Sequence, residues 1–170
     1  MISIALLRGI NVGGNRKISM ADLRQWLHDA RLGDVHTYIQ SGNIVIDHPA
    51  KLDVASLVRD AITTGSGLDV PVLVRSAKEL TDLVACNPYD DDGPRVHVSF
   101  LDTAPDRALL EGASEQDWSP EEYTVLGRDV YLHLPHGMGK SFMVPRLKFL
   151  KDATTRNWNT VLALVEMSTR

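Results

Sequence analysis

The order of elements predicts an α+β fold of two ferredoxin-like (split βαβ) halves packed tightly together. Three observations lead there. Residues 2–75 run strand, helix, strand, strand, helix, strand, which is the split βαβ plan. The second half repeats that order loosely. The junction near residues 75–78 carries no flexible linker. The halves are residues 1–76 and residues 77–170, the second ending in a closing helix.

Ile2–Leu7 is a continuous apolar run, as in a strand covered on both faces. Ser19 caps the first helix, with Asp22 three residues on as an imperfect capping box. Leu23, Trp26, Leu27 and Ala30 give it an apolar stripe, and Gly33 ends it. Val35–Ile39 alternates, Ser41-Gly42-Asn43 is a hairpin turn, and Ile44–Ile46 returns. Val54, Leu57, Val58, Ala61 and Ile62 line a second helix. Val70–Val74 follows as a strand, with Pro71 marking an edge position.

In the second half, Ser76 and Glu79 form a capping box for a helix through Ala85. Asn87-Pro88 and Asp90–Pro94 make a long turn. Val96–Leu101 is a strand, and Pro105 opens a helix through Leu110. Glu122–Leu126 and Val130–Leu134 flank a three-residue hairpin loop, Gly127-Arg128-Asp129. Helical segments follow near Val144–Leu150 and Asn157–Met167, the last with Trp158, Val161, Leu162 and Val165 on its apolar face. The repeat lies in element order, not in the letters.

The chain has 170 residues, 44% hydrophobic and 24% charged, the balance of an ordinary globular protein. No apolar run approaches the ~20 residues of a bilayer span. The strand pattern begins at Ile2, so no secretory or targeting leader is expected. Cys86 is the only cysteine, which excludes an internal disulfide and fits a reducing cytoplasm. Without a histidine near it in sequence, it reads as a small buried hydrophobe. A net charge of −4 argues against an extended nucleic-acid surface but permits a local basic pocket.

The run Arg8-Gly9-Ile10-Asn11-Val12-Gly13-Gly14-Asn15 breaks out of the first strand. Bare N–H groups of Gly13 and Gly14 suit an anion cradle, and the planar fork of Arg8 suits phosphate or carboxylate oxygens. The alternative is a structural connection whose glycines permit positive φ. Glycines at 9, 13 and 14 miss the dinucleotide spacing. Gln40-Ser41-Gly42-Asn43 is first a turn, with Ser41 and Asn43 also able to meet a polar ligand. Sequence does not decide whether this turn and the glycine loop share one end of the sheet.

Thr154–Thr160 opens the final helix, with Trp158 as a core anchor. Arg156 near a helix N-terminus opposes the macrodipole. It therefore needs an anionic partner, either an internal carboxylate or a bound anion beside Asn157. Gly137-Met138-Gly139-Lys140-Ser141 imitates a phosphate loop, but Leu134 stands where that loop requires glycine. Lys140 remains as a simple anion contact. His133 and His136 lack a third zinc ligand. Asp90-Asp91-Asp92-Gly93 lacks the rest of a calcium loop and reads as a solvated turn.

Three segments, LLRGINVGG at the start, TYIQSGN at residues 37–43 and TTRNWNT at residues 154–160, together resemble the domain of unknown function 1697 family. These are small, mainly bacterial proteins. VYLHLPHGMGKS also fits the pattern. The resemblance implies an α/β fold of ferredoxin-like halves and no established activity.

The distinctive segments are rich in Arg, Asn, Gln, Ser, Thr and Gly, and poor in groups that exchange protons near neutral pH. This favours a binding protein for a small anionic ligand, such as a nucleotide or phosphorylated metabolite. Its candidate contacts are Arg8, Asn11, Gly13, Gly14, Ser41, Asn43, Lys140, Arg156 and Asn157. One alternative is an enzyme acting on a phosphorylated substrate by positioning. Another is a nucleic-acid-binding module, against which the strands Ile2–Leu7 and Ile44–Ile46 offer no aromatic for base stacking.

Overall fold

The computed structural model describes residues 1–90 and 93–170. The chain forms two compact units, Met1–Asp82 with Leu164–Arg170, and Leu83–Ala163. The fold is α+β.

The first unit holds β1 (Ile2–Leu7), α1 (Met20–Asp29), β2 (Asp34–Tyr38), β3 (Asn43–Asp47), α2 (Val54–Ser66) and β4 (Val72–Ser76). Its sheet has the order β2-β3-β1-β4, and every pairing is antiparallel. This is the split βαβ arrangement, with β1 central and β4 at an edge. Ala5, Leu7, Ile44 and Ile46 pack with Leu23 and Leu27 of α1 and Val58 and Ile62 of α2. Ile4 and Leu6, on the other face of β1, are also fully buried, as the unbroken apolar run requires.

Chain order continues with α3 (Ala77–Ala85), β5 (Val96–Phe100), α4 (Arg107–Ser114), β6 (Glu122–Leu126), β7 (Asp129–His133), β8 (Thr154–Asn157) and α5 (Trp158–Ser168). Three 3₁₀ turns separate β7 from β8: Met138–Lys140, Val144–Arg146 and Lys148–Leu150. The second sheet is ordered β6-β7-β5-β8, again antiparallel throughout. One apolar cluster joins Val130, Leu132 and Leu134 to Trp118, Met143 and Phe149.

The repeat extends to register. Ile4 pairs with Val45 on one side and Arg75 on the other. Val98 pairs with Tyr131 and Arg156 in the same way. Leu7 N–H bonds the Gly42 carbonyl at 2.9 Å, and Leu101 N–H bonds the Arg128 carbonyl at 2.9 Å. Each edge strand then runs straight into a capped helix. Ser76 Oγ accepts from Glu79 N–H at 3.1 Å and Asn157 Oδ1 accepts from Thr160 N–H at 2.8 Å. Each half is therefore β-α-β-β, a connection, β, α. The connection is α2 in the first half and the 3₁₀ turns in the second.

Several expectations are corrected. Residues 154–157 form a strand rather than the opening of a helix. Thr154 and Thr155 are β-branched, and the run pairs with β5. Val144–Leu150 forms 3₁₀ turns because Pro145 removes a backbone donor and Val144, Leu147 and Leu150 recur every three residues, the 3₁₀ period. The second hairpin has a two-residue loop, Gly127-Arg128, since Asp129 already pairs with Leu126. Asp106 caps α4 through Leu109 N–H at 3.1 Å, so that helix starts after Pro105 and ends later than predicted. Cys86 is exposed, not buried. It lies one residue past α3, off the stripe formed by the buried Leu80 and Leu83. The expected turn at Asp90–Gly93 includes Asp91 and Asp92, which lie outside the described residues.

Candidate functional site

The loop after β1 and the β2–β3 turn stand at the same end of the first sheet. Leu6 pairs with Asn43, Leu7 N–H bonds the Gly42 carbonyl, and Arg8 N–H bonds the Pro71 carbonyl at 3.1 Å. Asn11 joins the two segments. Its Nδ2 donates to the Gln40 carbonyl at 2.7 Å and the Ile18 carbonyl at 2.9 Å. Its Oδ1 accepts from Ile18 N–H at 2.9 Å. Asn11 N–H also bonds the Arg16 carbonyl, and the Arg16 guanidinium donates to the Asp69 carbonyl. Asp69 is held by a bidentate pair with Arg59 at 2.6 and 2.7 Å.

Between these anchors the chain makes a tight reversal, closed by Asn15 N–H to the Val12 carbonyl at 3.1 Å. Its central residues, Gly13 and Gly14, have φ of +60° and +78°, the pair of left-handed residues a type I′ turn demands. Both are exposed. Gly9, Asn11, Arg16, Ile39 and Gly42 are left-handed too, so unusual backbone concentrates at this sheet end. Residues 8–17 carry Arg8, Arg16 and Lys17 and no acid.

The structure reassigns three predicted contacts. Both Nδ2 hydrogens of Asn11 are spent on backbone carbonyls, so it organises the loop. Asn43 is fully buried, and its Nδ2 donates to the Tyr38 carbonyl at 3.0 Å and Ser41 Oγ at 2.9 Å. It closes the turn and offers no surface. Asn157 is the N-cap of α5. Gly13 and Gly14 are exposed, and Arg8 and Ser41 are half-buried, all in the first unit.

Lys140, Arg156 and Asn157 belong to the second unit. Lys140 ends an exposed 3₁₀ turn after Gly137. The strand before it, β7, is antiparallel to both neighbours, unlike the parallel strand of a phosphate loop. Arg156 sits in β8, half-buried, and donates to the Thr155 carbonyl at 3.0 Å. Burial pulls its guanidinium down to about 10, so it stays cationic at neutral pH. Arg156 stands one residue before the N-cap Asn157, in β8 rather than in the first turn of α5. Trp158 is buried, as a core anchor. His133 packs against Tyr89 with the rings tilted by 39° and their centroids 5.2 Å apart, and its Nδ1 lies 3.8 Å from Glu122.

Two features escaped the sequence reading. Arg75, at the position in β4 that Arg156 holds in β8, is 1% exposed and donates to the Val74 carbonyl at 3.1 Å. The repeated strand register is the signal that finds it. Ser3 Oγ lies 2.8 Å from His48 Nε2, and His48 Nδ1 lies 2.7 Å from the Pro49 carbonyl. A carbonyl only accepts, so Nδ1 carries a proton, and in the neutral ring Ser3 donates to Nε2. That is the polarity of a nucleophile–base pair, but both side chains are buried. The pair instead ties β1 to the end of β3. Ser3→Ala should cost about 1–3 kcal/mol by leaving Nε2 unsatisfied. Urea denaturation checks it, and unchanged stability would remove the strut.

With this geometry established, relatives can be placed. The sequence profile described as "Protein of unknown function (DUF1697)" matches residues 1–131. The chain belongs to this family. The matched span of this DUF1697 chain takes in LLRGINVGG and TYIQSGN and ends before TTRNWNT. No curated protein matches the sequence. Among solved structures, it is similar to the conserved bacterial protein SP0830 from Streptococcus pneumoniae, at 23% identity. The TM-score is 0.77, over 99% of this chain and 98% of that one. This likeness shows the fold. No helix among the described residues is long and apolar enough to cross a membrane.

Proposed function

We propose that the first unit binds a small anionic ligand, such as a nucleotide or phosphorylated metabolite, at the glycine loop after β1. One observation carries this reading. Gly13 and Gly14 present exposed N–H groups that have no acceptor among the described residues, on a loop pinned at Gln40, Ile18 and Asp69. Fixed, solvent-facing amides are anion donors whose ordering cost is already met by the fold.

Charge and strain agree. The loop's three cations stand in a chain of net charge −4. Ile39 in the adjoining turn has φ of +49°, a strain of about 1–2 kcal/mol for a β-branched residue, and such strain clusters at functional sites. Ile39 and Val12 are 50% and 67% exposed, which suits the apolar portion of a nucleotide or metabolite. Arg8, Gly13, Gly14 and Ser41 are the contacts; Lys140 and Arg156 lie outside this reading. The expected setting is cytoplasmic, where an exposed Cys86 thiol stays reduced.

Thermal shift with pyrophosphate, ATP and a sugar phosphate tests the proposal. At 100 times its dissociation constant a true ligand adds ~2.7 kcal/mol, or roughly 5–10 °C in Tm for a domain of this size. Arg8→Ala should weaken binding about tenfold, the ~1.4 kcal/mol expected of a lost charge-assisted contact. No shift with any of the three, or an equal shift in the variant, defeats it.

A further inference from the structure

We infer that the second unit carries a separate site for an aliphatic carboxylate. A groove of about 520 Å³ runs beside the turn Lys148–Leu150, within the ~300–1,000 Å³ span of ligand clefts. Its walls are apolar: Val144, Pro145, Leu147 and Leu150. Among the described residues, Lys148 and Lys151 are the only charged ones that line it. In a 3₁₀ turn, residues three apart stand in line, so Lys148 and its C-cap Lys151 leave the same side of the turn. Both lysines are exposed. Neither makes an ion pair with any described residue.

The acids of this region lie elsewhere. Asp102, Asp106 and Asp152 line a neighbouring hollow of about 380 Å³ that the same lysines border, and no carboxylate of the described residues lines the groove. An apolar trough edged by two lysines that make no ion pair with any described residue matches a short aliphatic chain ending in a carboxylate. The tail removes the leucine and valine surface from water, and the head group faces the lysines. A fully hydrophilic anion forgoes the first gain and a neutral alcohol the second.

Isothermal titration with octanoate, hexanoate and 1-octanol tests this on the intact chain. Octanoate should bind with one-to-one stoichiometry. Each methylene removed should weaken it roughly fourfold, making hexanoate more than tenfold weaker, and 1-octanol should bind weaker than octanoate. A Lys148→Gln/Lys151→Gln double variant should lose at least tenfold for octanoate and leave 1-octanol and the melting temperature unchanged. Arg8→Ala should leave octanoate binding intact, which separates this site from the glycine loop. Absence of octanoate binding overturns the inference. So does binding that ignores the lysine substitutions, or that perturbs backbone amide resonances elsewhere and not across Leu147–Thr155.

Discussion

Gly33→Ala is expected to cost about 4 kcal/mol or more, a large share of the stability of an ordinary domain. A Cβ at Gly33 would lie 2.1 Å from the Asp47 carbonyl oxygen and 3.1 Å from its carbon. Neither atom can give way. Asp47 is the last residue of β3 and pairs with both Asp34 and Ile2, so moving its carbonyl shifts the first pairings of the central strand. Gly33 also has φ of +118°, a region L-residues avoid. Gly67, the left-handed C-cap of α2, has open space around its absent Cβ. Gly67→Ala should therefore show only the backbone strain, about 1–2 kcal/mol. Chemical denaturation of both variants reads the difference. Equal losses would mean that the close approach to Asp47 contributes nothing.

Gly33 also shows what the sequence conveyed and what it concealed. A glycine after an apolar stripe reads as a helix stop. The stop is elsewhere. Arg31 takes the left-handed position at φ +54°, with Arg31 N–H on the His28 carbonyl at 2.9 Å and Leu32 N–H on the Leu27 carbonyl at 3.3 Å. That is a Schellman motif without its usual glycine. Gly33 is needed for a contact fourteen residues away in the chain, which no local pattern records. Elements with a strong period or cap were legible: the run Ile2–Leu7, the stripe of α2, and the Ser76–Glu79 box, closed at 3.1 and 2.7 Å. The strand β8 was not, because four residues ending in an N-cap look like the cap alone.

The candidate site divides the same way. That the loop after β1 is rich in glycine and cation is visible in the letters. That it shares a sheet end with the Gln40–Asn43 turn depends on the antiparallel pairing of β1 with β3, which is a long-range fact. Asn11 and Asn43 looked like ligand contacts because amides serve ligands and backbones equally well. Only the partner atoms distinguish the two uses, and here those atoms are carbonyls and a hydroxyl of the turn itself.

Arg75→Ala should destabilise the protein by about 3 kcal/mol. The side chain is among the largest fully buried ones in the described chain, so truncation leaves a void and takes a donor from the Val74 carbonyl. Two sources of the loss are separable. Arg75→Met keeps most of the volume and abolishes the charge. Met fills most of the void that Ala leaves, so it should recover about half of the Ala loss if packing dominates. If the guanidinium's hydrogen bonds dominate, Met and Ala should be alike. Arg156 supplies the internal reference. It holds the equivalent register, donates to the equivalent carbonyl, and is only half-buried, so Arg156→Ala should cost clearly less than Arg75→Ala. Equal losses at both positions, measured by urea unfolding at constant m-value, would show that burial does not set the difference between the two arginines.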